Sequence, residues 1–73
     1  MRRATIRYTD PEMKVTSRTV QGDLIDIETH DYYTLLTAFS KSTASGRREL
    51  LDQWQVQTSL VIDIHQERLE TGQ

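Results

Sequence analysis

Asp23, Asp26, Glu28 and Asp31 stand close together in the 73-residue chain with no basic residue among them. If Leu24 to His30 is extended, Asp26, Glu28 and His30 project from one face at alternate positions, a spacing that can ligate a divalent cation. The same pattern describes a solvated strand face, and no metal or cofactor is expected on it. As a docking surface, Asp26, Glu28 and Asp31 would steer a basic partner. Ser45-Gly46-Arg47-Arg48 is a second candidate, because amides and arginines at a helix start can hold phosphate; a capped helix with exposed arginines is the stronger reading of the two. Arg2, Arg3 and Arg7 beside Tyr8 form a third, a short nucleic-acid strip. The two histidines have no serine or cysteine partner at a recognisable spacing, and a chain this short has little room for a substrate pocket beside a core. No catalytic residue is assigned, and the chain is read as a non-enzyme.

Composition narrows the classes. Nine basic and eleven acidic side chains give a net charge of −2, without the basic excess that non-specific nucleic-acid binding requires. There is no cysteine, which removes disulfides and cysteine-type zinc sites and fits a cytoplasmic location. No stretch has the length or the apolar character of a signal peptide or a membrane span. One small domain over residues 1–73 follows. A core of that size is marginal without help, and oligomerisation is the help still open.

The elements that must position these residues divide into a β-rich part, 1–29, and a helical part. Ala4, Ile6 and Tyr8 alternate with Thr5, Arg7 and Thr9, as in a half-buried strand. Asp10-Pro11-Glu12 is a turn, and Lys14 to Val20 is rich in β-branched residues, so the two runs form a hairpin. Leu24 to His30 suits either a third strand or a helix start after Asp23; the strict alternation of Ile25 and Ile27 with Asp26 and Glu28 favours the strand. Tyr32, Leu35, Leu36 and Phe39 recur at helical spacing, which predicts a short helix over 30–41 with Tyr32 inside and Tyr33 exposed as a contact residue. A long amphipathic helix is predicted over 45–70. Leu50, Leu51, Trp54, Thr58, Val61, Ile62, Ile64 and Leu69 share its apolar face. Val56, Thr58, Leu60, Ile62 and Ile64 also alternate as a strand would.

The expected fold is therefore α+β: a hairpin or three-stranded antiparallel sheet, a short helix and a long C-terminal helix. Twenty-four helical residues would span about 36 Å, beyond a domain whose radius of gyration should be about 11 Å. The overhang predicts a homo-oligomer, a dimer first, or a protein partner. Trp54, Val61, Ile62 and Ile64 would form the apolar interface, with Asp26, Glu28, Asp31 and Tyr33 beside it.

A hairpin followed by the GDLIDIE stretch, Gly22 to Glu28, and then by helices resembles the layout of small bacteriophage accessory proteins, the tail assembly chaperones of long-tailed phages. That resemblance implies a helical body that binds other tail components, in the cytoplasm of a bacterial host. It carries no residue-level role to this chain. The functional expectation is a protein-binding module, a phage-encoded inhibitor or assembly factor. The alternative is a small dimeric nucleic-acid-binding regulator using Arg2, Arg3, Arg7, Arg47 and Arg48.

Overall fold

Alternation of small or branched apolar residues with polar ones makes Arg2–Thr9 a strand, β1, with Ala4 and Ile6 fully buried. It runs through a tight turn into β2, Val15–Gly22. The computed structural model of the chain describes residues 1–41 and 47–69. At the turn, the amide of Met13 donates to the Asp10 carbonyl at 2.9 Å, and Asp10 Oδ1 accepts from the amides of Glu12 and Lys14, each at 2.9 Å. Met13 takes the left-handed conformation with φ 66°, so a type I turn and a bulge residue close the hairpin. The register Ala4↔Val20 and Ile6↔Arg18 follows.

Four more elements complete the described chain: β3, Leu24–Thr29; β4, Tyr33–Lys41; β5, Arg48–Gln57; and β6, Val61–Arg68. A single 3-10 turn, Thr58–Leu60, joins the last two. The strands form two antiparallel sheets, in the orders β2-β1-β6 and β3-β4-β5. The chain crosses from one sheet to the other at Gly22-Asp23. A Cβ on Gly22 would lie 2.8 Å from the Phe39 carbonyl oxygen and 3.1 Å from Ala38 Cβ. Glycine lets β2 pass this close to β4. The Asp23 amide then donates to the Phe39 carbonyl at 2.8 Å, and Asp23 Oδ2 accepts from the Lys41 amide at 2.9 Å.

The interior between the sheets is small. Ala4, Ile6, Val20, Leu36, Ala38 and Val56 are its buried apolar residues, with Tyr8, Ile25, Ile27, Trp54, Leu60, Val61 and Ile64 packed around them. The radius of gyration is 13.5 Å and the thinnest dimension is 15 Å, so little of the molecule lies far from an outer face. Buried Thr34 satisfies its hydroxyl on Thr58 Oγ1 at 3.0 Å. Thr58 Oγ1 also donates to the His30 carbonyl at 2.7 Å, which ties the 3-10 turn to the β3–β4 connection.

The α+β expectation is overturned. Residues 30–41 are not a helix but contain β4, and 45–70 are not a long helix but hold β5, the 3-10 turn and β6. Backbone pairing with neighbouring strands, β3–β4–β5 and β1–β6, satisfies the amides that a helix would have satisfied locally. The overhanging helix does not exist, and oligomerisation inferred from its length is withdrawn with it. Tyr32, expected inside, is 83% exposed, because it lies in the turn before β4. The hairpin and the third strand are present over the expected stretches.

Candidate functional site

Residues directly opposite one another in an antiparallel pair point to the same side of the sheet. In β3-β4-β5, the register Ile25↔Ala38, Ile27↔Leu36 and Leu36↔Trp54 marks the inner side. The intervening positions therefore face outward, in successive rows. Lys41 and Arg48 oppose each other at the end nearest residue 42. Next comes Leu24–Phe39–Leu50, one apolar residue from each strand. Then follow Asp26–Thr37–Gln53, Glu28–Leu35–Gln55 and finally Tyr33–Gln57.

The Leu24–Phe39–Leu50 row has no share in the interior. Leu50 is 58% exposed, and Leu24 and Phe39 are half-buried on the side away from the core cluster. Leu35 adds an apolar residue further along. Thr37 is buried although it faces outward, because longer side chains close over it; Gln53 Nε2 donates to its hydroxyl at 3.5 Å. His30 stacks on Tyr33 with ring centroids 4.4 Å apart, and its Nε2 lies 3.8 Å from Glu28 Oε1. Asp26 makes no ion pair among the described residues, and neither does Lys41 nor Arg48.

The face thus runs from a like-charged basic pair, through an apolar row, to two carboxylates and an aromatic stack. Like charges placed opposite each other repel, so the Lys41–Arg48 end favours an external anion. Among the described residues, no group of three histidine, aspartate or glutamate side chains is close enough to hold a metal. Asp26, Glu28 and His30 do lie along one side of β3 and its exit, in the order expected, but they do not converge.

The predicted site residues separate into two groups. Asp26, Glu28 and Tyr33, which is 37% exposed, come together on the outer face of β3-β4-β5, and exposed Asp31 lies in the adjoining turn. Trp54, Val61 and Ile64 instead pack on the interior. Trp54 lies between the sheets, 6.2 Å from the Tyr8 ring, with the Arg18 guanidinium 4.8 Å over its face. Arg18 is held there by Asp52 at 3.3 Å. The Trp54 Nε1 is buried and meets no hydrogen-bond partner among the described residues. Ile62 is 46% exposed for a local reason: a bulge opposite Arg7 and Tyr8 leaves it without a partner on β1. The single helix face expected to join Trp54, Val61, Ile62 and Ile64 does not exist, and the outward apolar row of the β3-β4-β5 sheet is Leu24, Phe39 and Leu50. The sequence offered a signal for them only through the strand register, which brings together residues 24, 39 and 50.

The arginines of the nucleic-acid alternative are mostly engaged. Arg3 Nε donates to Glu67 Oε1 at 2.7 Å, and Arg7 Nε donates to Asp63 Oδ1 at 2.9 Å, each with a second guanidinium contact to the same carboxylate. The hydrogen bond from Arg7 holds the Asp63 carboxyl below its ordinary range and raises the Arg7 guanidinium above its own. Arg47 is exposed just before β5 and exposed Arg48 opens that strand, so neither stands at a helix start; Ser45 and Gly46 of the phosphate reading lie outside the described residues.

No protein-family model matches the chain, and no curated protein or solved structure matches it. What fold and surface define is a class: a small all-β domain of two three-stranded sheets, one of which presents a mixed apolar and charged outer face. No helix among the described residues is long and apolar enough to cross a membrane.

Proposed function

We propose that this chain is a non-enzymatic protein-binding module that docks through the outer face of the β3-β4-β5 sheet. The observation that carries this reading is the Leu24–Phe39–Leu50 row, turned away from the interior and flanked by charges unpaired within the described chain. Exposed apolar rows rimmed by charge are a feature of protein interaction sites. Tyr33, Asp26, Glu28 and Asp31 extend the same surface. An inhibitor or assembly factor of the bacteriophage accessory type works in this way, by occupying a partner's surface in the host cytoplasm. The nucleic-acid alternative is not favoured, because Arg3 and Arg7 already face carboxylates.

The test is retention on immobilised protein from an extract of the native host, with wild type, Leu50→Glu and Thr19→Glu side by side. Thr19 faces outward on the other sheet. A protein held by wild type and Thr19→Glu but lost with Leu50→Glu supports docking on this face. Equal retention by all three variants places docking elsewhere.

A further inference from the structure

The outer face of β3-β4-β5 carries its own complement. Its basic end, Lys41 and Arg48, lies one row from the apolar line Leu24–Phe39–Leu50, and Asp26 lies one row beyond that line on the other side. A two-fold axis along the apolar row lays apolar on apolar and sets Lys41 of each copy over Thr37 of the other, one strand from Asp26, while Arg48 falls over Gln53. We propose that the occupant of this face is a second copy of the chain, in an isologous dimer. This inference rests on the docking reading above and names its partner.

Two further observations favour a second copy. The like-charged Lys41–Arg48 pair is costly in the isolated chain and is neutralised by the carboxylates of the copy opposite. The interior is thin, with Leu36, Ile6 and Val20 as its largest fully buried apolar side chains, so a second apolar layer on the far side of β4 adds the burial a small domain lacks. The other sheet offers no such match, since its outward arginines are already paired along β6.

The geometry dictates a mutual-rescue experiment by sedimentation equilibrium from about 1 to 300 μM, with circular dichroism to show that each variant keeps the β fold. Lys41→Glu places glutamate beside aspartate twice in its own dimer, and Asp26→Lys places lysine beside lysine twice. Each weakens self-association at least tenfold. Mixed one to one, the two variants meet with complementary charges at both contacts, and the heterodimer recovers wild-type affinity to within a few fold. Leu50→Glu is monomeric alone and in every mixture. A wild-type dimer that ignores both reversals, or reversals without rescue in the mixture, overturns the proposal, because the dimer then uses another surface. A wild-type monomer at 300 μM also overturns it. The docking reading then stands if host-protein retention depends on Leu50, and falls too if it does not.

Discussion

On the outer face of β2-β1-β6, Arg3 and Arg7 each look across to a carboxylate on β6, Glu67 and Asp63, while Thr5 and Thr19 share a hydrogen bond at 3.0 Å. On the outer face of β3-β4-β5, the charges are sorted by sign along the strands, with an apolar row between the basic pair and Asp26. Both faces belong to three-stranded antiparallel sheets of similar size. The first pairs its charges across adjacent strands, the arrangement that stabilises a sheet facing water. The second pairs none of Lys41, Arg48 and Asp26 within the described chain. A surface that has completed its own pairing is a poor dock, and one that has not is a good one. The proposed docking face rests on this contrast between the sheets and not on any single residue.

The most direct way to break this comparison is to ask whether the β3-β4-β5 face is secretly covered by its own chain. Leu36 and Leu50 lie on opposite sides of that sheet. Leu36→Ala removes a fully buried side chain and costs about 2–5 kcal/mol. Leu50→Ala, measured in dilute protein where copies are separate, changes stability by less than about 0.5 kcal/mol. Urea melts of the two variants distinguish the cases. A cost for Leu50→Ala near that of Leu36→Ala means that the row is core, and the docking face disappears with it.

The next effect concerns the corner that keeps the two faces apart. Gly22→Ala drives a methyl group to within 2.8 Å of the Phe39 carbonyl, against backbone that cannot rotate away. Overpacking of this kind costs about 1–3 kcal/mol, and each kcal/mol lowers the melting temperature of a domain this size by about 4–8 °C. Calorimetry should show that drop. An unchanged melting temperature means that β2 and β4 are not in close approach, and the assignment of inner and outer sides at the corner fails.

Half of this architecture was legible from residue order. The alternation at Ala4, Ile6 and Tyr8, the Asp10-Pro11 turn and the alternation of Leu24–Thr29 each correspond to the observed strands, because one-sided burial leaves a period of two. The remaining strands disguised themselves as helix for identifiable reasons. β4 is apolar on both sides, with Leu36 and Ala38 inside and Leu35 and Phe39 outside, so alternation was lost and the chance spacing Tyr32, Leu35, Leu36, Phe39 looked helical. In β5 a bulge opposite Ala38 and Phe39 leaves Leu51 unpaired, which turns strand spacing into Leu50, Leu51, Trp54. The 3-10 turn Thr58–Leu60 shifts phase again between Val56 and Val61, and the sum of the two irregularities imitates one long amphipathic helix. The carboxylates of the site were visible because they lie on one strand. The apolar row was not, because it is assembled from residues far apart in sequence.

The smallest expected effect sharpens the other side of the comparison. The hydrogen bond from Arg7 lowers the Asp63 carboxyl in the folded chain, so the unfolded chain binds a proton there at higher pH. The pair therefore stabilises the fold above the ordinary aspartate value of about 3.9, and that contribution is lost as pH falls from there through the depressed folded value. Both side chains are about half exposed, so solvent and salt screen the pair and its share of stability is slight. The titration itself is the sensitive readout. In Arg7→Gln, carboxyl NMR should show Asp63 protonating at higher pH than in wild type, with the melting temperature falling less steeply between about pH 4 and pH 2. Because the pair is internal to one sheet, the shift should be the same at 1 μM and at 300 μM protein. An Asp63 titration untouched by Arg7→Gln means that the face is not self-paired. A shift that depends on protein concentration means that the β2-β1-β6 face also meets another molecule, and the contrast between the two sheets is lost.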